Sequence, residues 1–168
     1  DQTENVIKIC DGTNYIIFTA ENQVITPIDG MFIHLKLDET TATTTADDAT
    51  TNGNDGTMGG GLTGSDTVAG TNGTAIEFDG AADTIDIPNV MPTGADERTI
   101  AVWLYPDDDT TRMDYFEYGT AVAGQKFELS INRDGNGSVS VGSSGHRWAT
   151  AAGVLSASKW VHVAIVVP

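Results

Sequence analysis

The sequence lacks the features that define several common protein classes. Its 168 residues contain a single cysteine, Cys10, so no disulfide can form within the chain and its stability must come from packing or from a metal. No apolar run approaches the roughly 18 residues that a membrane-spanning helix needs, so membrane insertion is not expected. Apolar residues with helical spacing do not extend beyond about ten residues, which argues against long helices.

Basic residues are also scarce. Eight Lys and Arg stand against 24 Asp and Glu, which gives a net charge of -16 and a sequence pI near 4.1. A surface of this charge repels nucleic acid phosphates and anionic lipid headgroups. The composition therefore excludes nucleic acid and anionic membranes as natural partners.

What the sequence does contain is short alternating or apolar runs separated by Gly, Asn and Asp, a pattern typical of an all-β protein. Residues 1–30 predict a separate hairpin, with strands at Val6–Cys10 and Tyr15–Phe18 around the turn Asp11–Asn14. Residues 31–168 predict the main domain. Its predicted strands are Phe32–Leu37, Ala75–Phe78, Thr84–Ile87, Arg98–Tyr105, Tyr115–Tyr118, Lys126–Asn132, Ser138–Val141 and Trp160–Val167. Asp134–Gly137 predicts a hairpin turn between Lys126–Asn132 and Ser138–Val141.

Alternation fixes which side of some strands should face the core. In Arg98–Tyr105, Ile100, Val102 and Leu104 are expected to point inward. Trp103 and Trp160 alternate with such residues and are interpreted as structural. Residues 40–62 are rich in Thr, Asp, Asn and Gly and are expected to form a polar loop.

The order of eight segments resembles the concanavalin A-like, laminin-G-type domains of bacterial surface proteins and some phage proteins. The resemblance implies an antiparallel two-sheet jelly-roll sandwich over residues 31–168, preceded by the hairpin. Since such domains continue with further strands, the chain is interpreted as a C-terminally incomplete domain. The segments are His34–Thr40, Ala46–Asp48, Asn52–Thr57, Ala75–Gly80, Asp83–Pro88, Thr99–Pro106, Phe127–Asn132 and Trp160–Ala164.

One Gly-rich segment carries oxygen ligands of the kind that calcium prefers. The resemblance also implies a structural calcium near an early strand, and we predict Ca²⁺ bound by Asp38, Asp48 and Asn54. The alternative is an ordinary solvated turn, in which Asn and Asp serve backbone geometry.

Sugar binding needs an aromatic platform with hydrogen-bonding groups beside it. His146, Arg147 and Trp148 offer both on one predicted loop, and Tyr115 and Tyr118 offer further aromatic rings near carboxylates. These five residues are the candidate ligand site. A plain core or edge role for them is the competing interpretation.

Catalytic patterns are not found. A Glu-x-Asp-x-Glu strand face, as jelly-roll glycosidases use, does not occur, nor does a histidine pair with metal-ligand spacing. We therefore predict a non-catalytic extracellular recognition or adhesion module, on a cell or virion surface, with a glycan or surface polymer as its partner. The alternative is a structural subunit of an extracellular filament, capsid or tail fibre that associates with copies of itself.

Overall fold

The computed structural model describes residues 8–10, 15–17, 30–88, 91–92, 96–120, 122, 126–143 and 146–167. All regular structure in these ranges is β-strand, which confirms the predicted class, and no helix there is long and apolar enough to cross a membrane. The strands are β1 (Lys8–Cys10), β2 (Tyr15–Ile17), β3 (Thr45–Ala46), β4 (Gly56–Gly59), β5 (Thr67–Ala69), β6 (Thr74–Ile76), β7 (Thr84–Asp86), β8 (Arg98–Leu104), β9 (Met113–Gly119), β10 (Lys126–Ile131), β11 (Val139–Ser143), β12 (His146–Ala149) and β13 (Val161–Val167).

The chain divides into two compact units, Asp1–Met31 and Phe32–Pro168. In the first, β1 and β2 pair antiparallel with Ile9 opposite Ile16, which confirms the predicted pairing. The predicted turn Asp11–Asn14 lies outside the described residues.

The second unit contains a sandwich of two antiparallel sheets. One has the strand order β12-β11-β10-β9, and the other pairs β13 with β8. The inner face of the β8–β13 pair packs against buried Leu129 and Ile131 of β10 through Val102, Val163 and Ile165. Burial of these branched side chains from both sheets excludes water between them and supplies the main stabilisation of the sandwich.

Strand β8 follows the predicted alternation. Leu104 is 6% exposed, Ile100 and Val102 are half-buried, and the residues between them are exposed. A strand places successive side chains on opposite faces, so the inward position of these three residues directs Trp103 toward solvent.

A second apolar cluster joins Ala46, Met58, Leu62 and Ile76. Three of these residues lie in the segment predicted as a polar loop, and that prediction is wrong. β3, β4 and β7 form one sheet while β5 pairs with β6, so the predicted strands around Ala75 and Thr84 do not pair with each other. A few well-spaced apolar side chains are enough to bury a loop-rich segment when the surrounding strands are short.

The predicted strand Phe32–Leu37 is absent. Leu35 forms only an isolated bridge to Asp48, and Leu37 has a φ of 56°, which breaks an extended strand. The alternation itself is retained, because Ile33 and Leu35 are half-buried while His34 and Lys36 are exposed.

The predicted hairpin turn at Asp134–Gly137 connects β10 to β11. Gly135 and Gly137 have φ values of 136° and 68°. A Cβ on Gly137 would come within 2.5 Å of the Leu155 carbonyl oxygen, so the turn requires glycine there. Asn132 closes the turn by accepting a hydrogen bond from the Gly137 backbone N–H at 2.7 Å.

Leu129 is fully buried in the sandwich core. We expect Leu129→Ala to lower the free energy of unfolding by about 2–5 kcal/mol, because it leaves a cavity between the sheets. Urea denaturation followed by tryptophan fluorescence measures this. Val166→Ala is the matched control, since Val166 is 68% exposed and its truncation should change stability by less than about 0.5 kcal/mol. Equal effects of the two substitutions would contradict the described packing.

Candidate functional site

Trp148 is the most exposed of the large apolar side chains, at 71%. It lies on strand β12, so the prediction of a loop at this position is wrong. Trp148 is opposite Val141 and Arg147 is opposite Gly142, which places the two side chains on opposite faces of the sheet. Arg147 forms an ion pair with Asp134 on the outer face, and the His146 side chain lies outside the described structure. Arg147 and Trp148 therefore do not converge on one ligand position.

Tyr115 and Tyr118 lie on β9, at the edge of the sheet opposite β12. Three strand spacings, roughly 14 Å, separate the two edges. Tyr115 packs on the sandwich core and donates to the Met113 sulfur at 3.6 Å, and burial, aided by the Asp107 charge, raises the pKa of Tyr115 to about 12. The Tyr118 ring stacks on Phe127 with centroids 5.4 Å apart. Both tyrosines serve packing, and the structure does not bring them to Trp148.

Two of the predicted calcium ligands, Asp48 and Asn54, are in contact with each other. The Asp48 carboxylate accepts hydrogen bonds from the backbone N–H groups of His34, Thr50 and Asn54 at 2.9, 3.0 and 2.9 Å, and from the Thr50 hydroxyl at 2.7 Å. The Asn54 side-chain amide donates to the Phe32 carbonyl at 2.7 Å. Asp48 thus connects the segment that contains Phe32 and His34 to the Gly-rich loop.

These contacts do not fit a calcium ion. A carboxylate has about four lone-pair sites, and at Asp48 all are directed at protein N–H or O–H groups. Partial desolvation would raise the pKa of Asp48, but the hydrogen bonds from Thr50, His34 and Asn54 outweigh it and hold the pKa at about 2. Asp38 is exposed and pairs with Lys36 at 3.7 Å. Among the described residues no group of three His, Cys, Asp or Glu has metal-binding geometry, and calcium binding stays a prediction.

Glu128 is the most enclosed carboxylate on the outer face of the four-stranded sheet, at 9% exposed. Arg112 and Arg133 contact its Oε1 and Lys126 contacts Oε2 at 3.1 Å. Glu128 therefore connects three basic side chains on this face of the sheet.

The outer face of the β8–β13 pair carries four aromatic rings. Trp103 lies directly opposite His162, with ring centroids 5.0 Å apart, and the Tyr105 ring is 5.4 Å from that of Trp160. Trp103 is 52% exposed and Tyr105 is 44% exposed. We call these four residues the aromatic face.

The aromatic face is not predicted by the sequence pattern, because Trp103 and Trp160 alternate with core residues and are typical of structural positions. The signal was nevertheless present. If Ile100, Val102 and Leu104 point inward, then Trp103 must point outward. What the alternation could not reveal is that β13 pairs with β8 in the register that sets His162 beside Trp103.

Aromatic side chains in this arrangement suit an amphipathic ligand. Trp and Tyr combine a broad apolar ring with an N–H or O–H at its edge, so they can cover an apolar surface and form hydrogen bonds at the same time. A pyranose presents such a combination, with a C–H face and hydroxyls around it. The aromatic face is the candidate functional site.

A laminin G family model, described as concanavalin A-like lectin/glucanases superfamily, matches residues 79–168, just over half of the chain. The match includes every strand of the sandwich and the whole aromatic face. No curated protein matches the chain significantly, and no solved structure does.

We expect Asp48→Ala to lower the free energy of unfolding at pH 7 by about 1–3 kcal/mol, since it leaves several donors without their acceptor. The pKa of Asp48 lies below its unfolded value of 3.8, so its contribution is complete above that pH and is lost as the pH falls toward 2. Urea denaturation of both proteins from pH 7 to pH 2 should show the difference shrinking below about pH 4. Asp38→Ala is the control and should change stability by less than about 0.5 kcal/mol, because its ion pair is exposed.

The effect of calcium on the melting temperature can be measured with the same proteins. Because Asp48 is saturated with hydrogen bonds, we expect the melting temperature in excess Ca²⁺ to equal that in EDTA. A rise with Ca²⁺ that disappears in Asp48→Ala would contradict the geometric argument and establish the metal site.

Proposed function

This chain belongs to the concanavalin A-like lectin/glucanase superfamily, and we propose that it is a non-catalytic recognition module that binds carbohydrate at an extracellular surface. The observation that carries this proposal is the aromatic face, with Trp103 half-exposed beside His162. Large aromatic side chains that cluster on one exposed surface of a folded domain usually indicate a binding site.

The rigidity of its support favours the aromatic face as a binding site. Trp103 and His162 are held in register by an antiparallel pair of seven-residue strands, whose other face is packed on the sandwich core. A ligand that stacks there would lose little free energy to ordering of the protein, because the rings are already positioned.

The charges on the opposite sheet support a non-catalytic role. Retaining and inverting glycosidases need one carboxyl that stays protonated and a second carboxylate across the scissile bond. Glu128 contacts three cations, Glu117 pairs with Lys126 and Asp114 pairs with Arg112. Each of these carboxylates is engaged by Arg or Lys of the chain itself, which leaves it less available to a substrate.

A second candidate function is assembly with other copies of the chain. Among the described residues, β8 and β13 pair only with each other, so each has an edge without a strand neighbour. Exposed strand edges can pair between chains, and Val166 adds a 68% exposed apolar side chain. The net charge of -16 opposes close association of identical chains, which is why this candidate comes second.

We expect the chain to bind neutral glycans on an array, and Trp103→Ala to weaken that binding at least tenfold. Removal of a central aromatic contact costs about 2 kcal/mol or more at a typical hot spot. Isothermal titration of the best array ligand measures the change.

Trp148→Ala is the matched control, because Trp148 is also exposed but lies on the other sheet. Equal loss in both variants would place the ligand elsewhere. Absence of glycan binding together with concentration-dependent sedimentation would favour the assembly function.

We also expect no hydrolysis of laminarin or of linear glucans, because the carboxylates around Glu128 are engaged in ion pairs with Arg and Lys. Release of reducing ends during prolonged incubation is the measurement. Turnover that disappears in Glu128→Gln would show that the outer face is catalytic and overturn this part of the proposal.

A further inference from the structure

We propose that the aromatic face binds a glycan without negative charge, extended along strands β8 and β13. This inference rests on the proposed function and adds the charge class and the direction of the ligand. Three observations support it: the spacing of the aromatic rings, the small exposed residues beside them on β8 and β13, and the distribution of charge around the aromatic face.

The rings form two successive pairs along the strands. The Trp103–His162 pair is followed by the Tyr105–Trp160 pair two residues further along β8. Two residues of an extended strand advance about 7 Å. A single sugar ring on the first pair would leave the second uncovered, so a chain of sugars along the strand direction uses both.

The surface continues past the rings as a shallow apolar floor. Ala101 lies opposite Ala164, and Thr99 lies opposite Val166. All four are exposed, and their small side chains leave room for a ligand above the sheet. Over β8 this floor and the rings extend for about 20 Å, which is long enough for several sugar units.

No outward residue of β8 or β13 in the described structure is a Lys or Arg that could pair with an anionic sugar. Recognition of carboxylate or sulfate groups normally uses the forked guanidinium of Arg or the charge of Lys. The nearest exposed base in sequence is Lys159, beside Trp160.

Most of the basic residues whose contacts the structure describes lie away from the outward surface of β8 and β13. Four of the eight lie around the four-stranded sheet, each in contact with a carboxylate: Arg112, Lys126, Arg133 and Arg147. Lys36 pairs with Asp38, and Arg98 lies 5.2 Å from the centre of the Phe127 ring. An anionic glycan on the aromatic face would find no compensating charge from these groups.

Carboxylates surround one end of the face. Asp107 follows Tyr105 by two residues and lines a cleft of about 320 Å³ together with Asp66, Glu77, Asp79 and Asp83. The adjacent Asp108 carboxylate is stabilised in its ionised form by hydrogen bonds from Thr110 and Thr111, which hold its pKa at about 2. An anionic glycan that reached this end would be repelled at short range, where salt screens least.

The test uses the intact chain and matched soluble probes in isothermal titration at physiological salt. The probes are a neutral β-linked glucose disaccharide, the corresponding hexasaccharide, and a hexasaccharide of uronic acid. We expect the neutral hexasaccharide to bind at least about tenfold more tightly than the disaccharide, because it covers the apolar floor as well as both ring pairs, whereas the disaccharide covers only the ring pairs. The uronic acid probe should bind at least tenfold more weakly than its neutral counterpart.

Ala101→Glu and Ala164→Lys sharpen the test without removing an aromatic ring. Both positions are exposed, so the variants should fold, which far-UV circular dichroism checks. Ala101→Glu should weaken the neutral hexasaccharide by obstructing the floor, whereas Ala164→Lys should improve binding of the uronic acid probe.

The outcomes separate the two proposals. If the uronic acid probe binds as tightly as the neutral one, or if length makes no difference, the inference is wrong and carbohydrate recognition still stands. If folded protein binds none of the probes and no glycan on an array, the proposed function fails as well.

Discussion

The packing of Val102, Val163 and Ile165 on the buried Leu129 and Ile131 is the contact on which the rest of the sandwich depends. It holds the two sheets together, and it also decides the direction of every other side chain on β8 and β13. Because strands alternate, burying one set of residues exposes the other set. The aromatic face is thus a geometric consequence of core packing, and its rings are as firmly positioned as the core beneath them.

Charge plays a different part on each side of the molecule. The chain is strongly acidic, yet its few basic residues are concentrated on the four-stranded sheet, where three of them enclose Glu128. At the other side, Asp48 is satisfied by backbone N–H groups in place of a cation. In both places the polar groups of the chain satisfy one another with hydrogen bonds or ion pairs. The aromatic face differs, because its apolar surface remains uncovered.

The superfamily to which this chain belongs includes both lectins, which bind carbohydrate, and glucanases, which hydrolyse it. The carboxylates of the outer sheet are paired with Arg and Lys, whereas Trp103 and Tyr105 present an exposed surface with apolar and polar parts. The proposed ligand class rests on this surface and on the acidic residues Asp107 and Asp108 that follow it.

The sequence alone determined the all-β class, the hairpin turn at Asp134–Gly137, and the inward side of β8, because alternation and turn chemistry are local properties. Predictions from the sequence were wrong where strand formation or strand order depends on segments that are distant in the chain. The alternating residues near Leu35 did not become a strand, since no neighbouring strand pairs with them beyond one bridge. Trp148 and Tyr115 were predicted to belong to one ligand site, but the strand order places them on opposite edges of one sheet. Only the tertiary structure set His162 beside Trp103, because pairing register between strands nearly sixty residues apart depends on how both pack on the core.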